Sequence, residues 1–442
     1  MKIRLSDHFN YRRLLCFTFP SIIMLVFTSI YGVVDGFFVS NFVGKTPFTA
    51  VNFIMPFLMI LGSFGFMFGT GGGALISKTL GEGKPETANR LFSLIVYTSA
   101  AGGIVMAVLG MLLIRPLAAA LGAEGQLLED CVTYGRIILL AIPAYVLQYE
   151  FQCLFSVAEK PSLGLFVTIA AGLTNIVLDA LLVAGFRWGL SGAAAATAIS
   201  QCVGGLIPLV YFARPNSSLL RLGKTGFDGK ALLKSCGNGS SELMSNISMS
   251  VVNMLYNVQL LRYAGEDGVA AYGVIMYVCL IFQAVFLGYS MGTAPIVGFH
   301  YGAKNHAELN GLLKKCLVLI SAFSVAMFAA AYALARPLSL LFVSYDEELL
   351  NMTIRAFAIF SFSFLFSGYA IFGSSFFTAL NDGFVSAAIS FLRTLVFQIA
   401  AVLILPLIWG LDGIWGSTVA AEGMAVAVTA CFLWGRRKKY QY

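Results

Sequence analysis

The sequence predicts an all-α membrane protein: twelve transmembrane helices in two parallel six-helix lobes, related by a pseudo-two-fold axis along the membrane normal. Three observations lead there. The 442-residue chain is 59% hydrophobic and only 11% charged, where a soluble domain carries about 25% charge. Its apolar residues gather into stretches long enough for a bilayer core, which takes about 20 residues per helix. The chain also repeats itself at an offset of 221 residues, half its length.

The first six stretches fall near 14–39, 50–76, 91–114, 131–156, 162–186 and 189–212. The second six fall near 239–261, 269–297, 312–335, 353–380, 385–408 and 413–434. Internal Gly and Pro are tolerated in such helices, and the short alternating strands of a membrane barrel are not visible. The repeat maps Trp188-Gly189-Leu190 onto Trp409-Gly410-Leu411, Arg115-Pro116-Leu117 onto Arg336-Pro337-Leu338, Gly44 onto Gly265 and Gly81 onto Gly302. Six spans per copy return the chain to its starting side, so the copies are parallel and face each other across a cleft, as in secondary transporters. The expected division is an N-terminal lobe over 1–213, a cytoplasmic linker over 214–237 and a C-terminal lobe over 238–442.

Basic residues set the expected orientation. With the N-terminus inside, twenty Lys and Arg fall inside, among them Lys2, Arg12, Arg13, Lys78, Lys84 and the run Arg436-Arg437-Lys438-Lys439. Seven fall outside: Lys45, Arg115, Arg136, Arg187, Arg262, Arg336 and Arg355. Arg393 stays in the membrane. This bias predicts a multi-pass plasma-membrane protein with both termini cytoplasmic. The net charge of +7 is then a consequence of topology, and nucleic acid is not an expected partner. The first apolar stretch is too long for a signal-peptide core and no cleavage site follows, so no processing is expected. The eight Cys are scattered without paired spacing and read as apolar fillers. A monomer in the lipid bilayer, with no cofactor and no transition-metal site, is expected. Two motifs are decoys. The segment 72–79 nearly spells a phosphate-binding loop but has Ser77 in place of its second glycine, which fits helix packing better. Asn246-Ile247-Ser248 reads as a glycosylation site but lies inside a span.

Ionisable residues inside a membrane are costly and mark function by default. The candidates are Asp35, Glu150, Asp179, Glu242 and Glu422. Glu150 lies near the inner end of its helix, where a solvated and a functional role compete. Asn175 precedes Asp179 by four residues, so both share a helix face, and a carboxylate with an amide oxygen suits a small hard cation or a proton. Asp35 and Asp179 both fall in the outer half of outward-running helices and can meet. Two carboxylates in one desolvated site do not both stay ionised cheaply, so the pair takes up a proton or another cation. Under the 221 offset Asp35 becomes Tyr256, Asn175 becomes Val396 and Asp179 becomes Ala400. This places ion coupling in the first lobe. Glu242 and Glu422, which map back to Ser21 and Gln201, are left to meet a cationic substrate or to serve structure.

Twelve spans in two lobes, Tyr31-Gly32-Val33-Val34-Asp35 with Gly44 following, Gly81-Glu82-Gly83-Lys84 after the second span, and the Asn175–Asp179 pair together resemble the multidrug and toxic compound extrusion (MATE) family, nearest its bacterial DinF-like and MepA-like branches. The resemblance covers nearly the whole chain. It implies efflux of organic cations and amphipathic drugs by proton or sodium antiport, not an enzymatic activity. It carries a first-lobe cation site, with sodium as the one metal in question, onto Asp35, Asn175, Asp179 and Thr197, a bending first-helix proline onto Pro20, and a seventh-helix acid onto Glu242. Some relatives have a tenth-helix acid, and 357–378 has none, which disfavours coupling centred on the second lobe. Two alternatives stand beside antiport. A flippase for lipid-linked saccharides needs several cleft Arg or Lys, and only Arg393 lies deep. An intramembrane aspartyl protease needs a Gly-x-Gly-Asp motif, where this chain has Ile176-Val177-Leu178-Asp179.

Overall fold

The computed structural model describes residues 3–344 and 346–442. Lys2, counted above among the inner basic residues, lies outside the described residues, as does the side chain of Lys45. The helices are α1 Tyr11–Val43, α2 Lys45–Gly81, α3 Pro85–Ala120, α4 Gly125–Val157, α5 Pro161–Gly185 and α6 Gly189–Ala213. A single helical run, Gly229–Gly302, follows and reverses at Gly265, where φ is 63° and ψ −152°. It is therefore two spans, α7 (229–264) and α8 (266–302). The rest are α9 His306–Val343, α10 built from Glu347–Ser361 and Phe364–Ala379, α11 Gly383–Trp409 and α12 Leu411–Tyr440. Among the described residues these make twelve spans, and the chain is a multi-pass membrane protein with both termini on one side.

The duplication is written into the turns. Gly44 joins α1 to α2 at φ 120° and its counterpart Gly265 joins α7 to α8 at φ 63°, a region costly for any residue with a Cβ. The two lobes differ at α10, which bends by 47° between its halves. The expected unbroken tenth span is thus corrected to two helical pieces. The segment expected as linker, 214–237, is irregular only as far as residue 228. Asp228 caps the next helix by accepting from the Lys230 and Ala231 amides, so the last nine residues of that segment are the first turns of α7.

Glycines bring the lobes together on the side that carries the termini. A Cβ on Gly81 of α2 would stand 2.0 Å from the Phe299 carbonyl oxygen, and one on Gly302 of α8 would stand 2.0 Å from that of Lys78. Phe299 and Lys78 are themselves related by the 221 offset, so the pseudo-two-fold axis passes between these helix ends. The same relation pairs Gly71 against Gly239 of α7 with Gly292 against Thr18 of α1. Small residues allow this approach where lipid provides no hydrophobic drive. The phosphate-loop-like stretch is thus helix packing. On this side Phe17 and Ile22 of the first lobe share a core with Tyr289, Ile296 and Phe377 of the second. Toward the far side each lobe keeps its own core, one around Ile54, Tyr134 and Leu139, the other around Tyr256, Phe357 and Trp415. The cleft therefore opens on the side away from the termini. The segment before α1 reinforces the closed side: Leu5 and Phe9 are buried, the Leu5 amide donates to Glu159, and the Phe9 amide donates to Glu308 at 3.0 Å.

Gly81→Leu should lower thermal stability in detergent by about 1–3 kcal/mol through overpacking at the lobe junction. Gly423→Ala, where the added Cβ meets nothing within 4 Å, should leave the melting temperature within error.

Candidate functional site

In the far half of the first lobe, three helices direct polar side chains into one apolar interior. α1 contributes Asp35, α5 contributes Asn175 and Asp179 from one face, and α6 contributes Thr197. Asp179 is 0% exposed, Asn175 1% and Asp35 8%. The Asn175 amide donates to the Thr197 hydroxyl at 3.4 Å, and that hydroxyl donates to Asp35 Oδ1 at 3.3 Å. Asp179 stands close enough to Asp35 for their charges to interact. The Asn175 Oδ1 and both Asp179 carboxylate oxygens are buried without a hydrogen-bond partner among the described residues. The structure thus brings together the four first-lobe residues singled out in the sequence, and three of their acceptor oxygens are unmet. Oxygen acceptors packed this way suit a proton or a small hard cation. Among the described residues no three His, Cys, Asp or Glu side chains group as a transition metal would need.

Local backbone helps to aim these groups. Asp179 opens a π-helical segment, Asp179–Gly185, and another, Val39–Val43, begins one turn after Asp35. Such segments break the α ladder and concentrate at functional sites. Sequence reasoning missed Tyr134 of α4. Its hydroxyl is buried without a hydrogen-bond partner among the described residues, and lies beside Thr197 and within the field of both aspartates. With 18 Tyr in the chain, no spacing marks this one.

The second lobe repeats the frame without the charge. Tyr256, the counterpart of Asp35, pairs its hydroxyl with that of Thr418, the counterpart of Thr197, at 2.9 Å, and donates to Gln398 at 3.0 Å. Here the network is closed and neutral.

The other predicted residues separate. Pro20 lies within an uninterrupted helical stretch, Tyr11–Phe38. On either side of it Thr18 and Ile22 press on Gly292 and Gly288 of α8. Glu422 is not the free acid considered from sequence. Arg393 Nε contacts both of its carboxylate oxygens, at 3.0 and 2.9 Å. Glu242 lines a second-lobe cavity of about 190 Å³ together with Arg393, Glu422, Tyr256 and Tyr272. Glu150 is fully buried with both oxygens unpartnered among the described residues, which removes its solvated reading. Gly69 of α2 packs closely against the Glu150 backbone.

Comparison with known proteins agrees with this architecture. The MatE family model matches residues 20–181 and 243–404, once on each lobe. The chain is similar to the multidrug export protein MepA of Staphylococcus haemolyticus, at 23% identity over 422 residues, covering 95% of this chain and 91% of that protein. It is similar to MepA of Staphylococcus aureus strain MSSA476 at 23% identity over 416 residues, covering 94% and 91%. Among solved structures, a MATE protein in complex with MaL6 superposes with a TM-score of 0.91 at 22% identity, covering 98% of this chain and 97% of that one. The outward-facing conformation of a multidrug resistance MATE family transporter of the MOP superfamily superposes equally well, with a TM-score of 0.91, 22% identity and coverage of 98% and 96%. With its family model falling on both lobes and spanning most of its length, the chain belongs to the MatE family and is a membrane transporter rather than an enzyme.

Proposed function

We propose that this protein exports cationic and amphipathic small molecules by antiport against protons or sodium. The observation that carries this is the lobe asymmetry around one hydrogen-bond frame. Asp35 and Asp179 occupy it in the first lobe, where both Asp179 oxygens and the Asn175 Oδ1 are unmet among the described residues, and Tyr256 with Thr418 fills it without charge in the second. The relatives named as multidrug exporters support the direction and breadth of transport. The excess of basic residues on the terminus side supports cytoplasmic termini, which makes the open cleft extracellular.

A coupling ion entering from outside neutralises the pair. Asn175 and Thr197 supply an amide and a hydroxyl oxygen beside the carboxylates. Neutralisation removes the repulsion that separates the α1 and α5 segments, so they close on one another. Pro20 withholds a backbone donor from α1, and the stretch around it is clamped against Gly288 and Gly292. The proline then serves as the hinge about which the outer part of α1 moves while its base stays fixed. Each ion contributes about 2.3 kcal/mol per 100 mV and each pH unit about 1.4 kcal/mol, enough for a modest drug gradient. Arg393 is the one basic side chain lining the second-lobe cavity, and Glu422 neutralises it. A polyanionic saccharide carrier therefore finds no matching site there.

Asp35→Asn and Asp179→Asn should each abolish coupled ethidium uptake into inverted vesicles while the protein stays folded and inserted. Wild-type uptake in both variants would remove the site assignment. In proteoliposomes, a pH gradient and a sodium gradient imposed one at a time should differ sharply in their ability to drive transport. Tyr134→Phe should slow export several-fold at unchanged protein level, because the hydroxyl beside Thr197 is lost; an unaltered rate would make Tyr134 packing only.

A further inference from the structure

The second-lobe cavity holds a charge arrangement that ion coupling does not use. Both contacts from Arg393 to Glu422 come from Nε. A guanidinium carries five N–H donors, and the two Nη groups make no hydrogen bond among the described residues. Such a group inside a membrane is retained where it pairs or faces a cavity, and Arg393 lines this one. It lies in a third π-helical segment, Leu392–Val396, in the stretch joining the two parts of α11. Its first-lobe counterpart is Gly172, where the Phe27 and Tyr31 rings fill the space. The arginine thus belongs to the second lobe alone.

Glu242 lines the same cavity and feels the charge of Arg393. Its carboxylate has no hydrogen bond or ion pair among the described residues. With Glu422 offsetting Arg393, an ionised Glu242 gives the cavity a formal charge of one negative and two unmet groups of opposite sign. Its walls are adaptable and aromatic. Tyr256 and Tyr272 stack at 5.2 Å with an interplanar angle of 4°, and Met249 and Met276 complete the lining. A ligand bearing only a cation meets Glu242 and leaves the Nη groups unmet. An anion alone meets Arg393 but works against the net charge. A ligand with both signs satisfies both.

We infer that this cavity binds zwitterionic amphipaths, with a carboxylate of the ligand on the Arg393 Nη groups and its cationic end toward Glu242. This rests on the transport function proposed above and names a substrate class for it. The fork geometry of arginine suits a carboxylate better than a lysine ammonium does.

The test compares rhodamine B, a zwitterion, with its ethyl ester, a cation of the same body, by fluorescence anisotropy on the purified full-length protein. The double variant Arg393→Gln/Glu422→Gln keeps the pair neutral and hydrogen-bonded. It should lose about ten-fold in affinity for rhodamine B, equivalent to about 1.4 kcal/mol, with the ester changed less than about two-fold. Arg393→Lys, which keeps the charge and removes the fork, should show a partial loss of the same sign and serves alone if the double variant does not fold. Glu242→Gln should weaken both dyes alike. An unchanged ratio of the two affinities in both arginine variants overturns the inference. Transport separates this from the broader proposal: gradient-driven export of the ester by the wild type with an unmoved ratio sinks only the zwitterion site, whereas no gradient-driven export of either dye sinks the antiport proposal.

Discussion

The structure turns on the cost of holding two carboxyl groups inside a membrane. Asp35 and Asp179 sit in a half-lobe whose other surroundings are mostly apolar, and Asp179 has no exposure at all. An ionised carboxylate without a partner costs several kcal/mol in such surroundings. Two of them side by side add repulsion to that cost. The arrangement is stable only when a proton or a metal cation is present, or when the helices that carry the aspartates separate and let water in. A site with those two solutions, linked to two helix arrangements, is what an antiporter needs. In the proposed antiport, its occupancy and its shape are coupled.

The duplicated fold makes this use of charge economical. The same helices meet at the same glycines in both lobes, and Gly81 against Phe299 is mirrored by Gly302 against Lys78. The frame of α1, α5 and α6 is mirrored by α7, α11 and α12, down to the threonine that bonds Asp35 in one and Tyr256 in the other. One substitution pattern separates a charged, unmet site from a neutral, closed one. The second lobe then places its charges elsewhere, on Arg393, Glu422 and Glu242 around a cavity with aromatic and methionine walls. Division of labour between lobes follows from side chains, because the backbones are near copies.

Much of this was legible in the sequence. Twelve apolar stretches, the 221-residue offset and the turn glycines follow from composition and local sterics. Asn175 and Asp179 are linked by helical spacing, and Asp35 by depth within its span. What the sequence hid depends on contacts between distant segments. Arg393 and Glu422 are 29 residues apart on neighbouring helices, and neither spacing nor composition pairs them. Tyr134 reaches the aspartates only because α4 packs behind them. Glu150 lies near a helix end, where a one-dimensional reading allows solvent, but tight packing of α2 against α4 seals it. The bend inside α10 has no proline or glycine at the break to announce it.

The central claim is that neutralising the first-lobe pair drives the change in shape. Electron-electron resonance distances between spin labels at Leu121 and Leu341, exposed positions at the far-side ends of α3 and α9, test it directly. In the intact protein the distance distribution across the cleft mouth should shift on acidification or on sodium addition. With Asp35→Asn/Asp179→Asn as background it should stay fixed at one distribution under both conditions. An identical response with and without the two carboxylates would contradict the account.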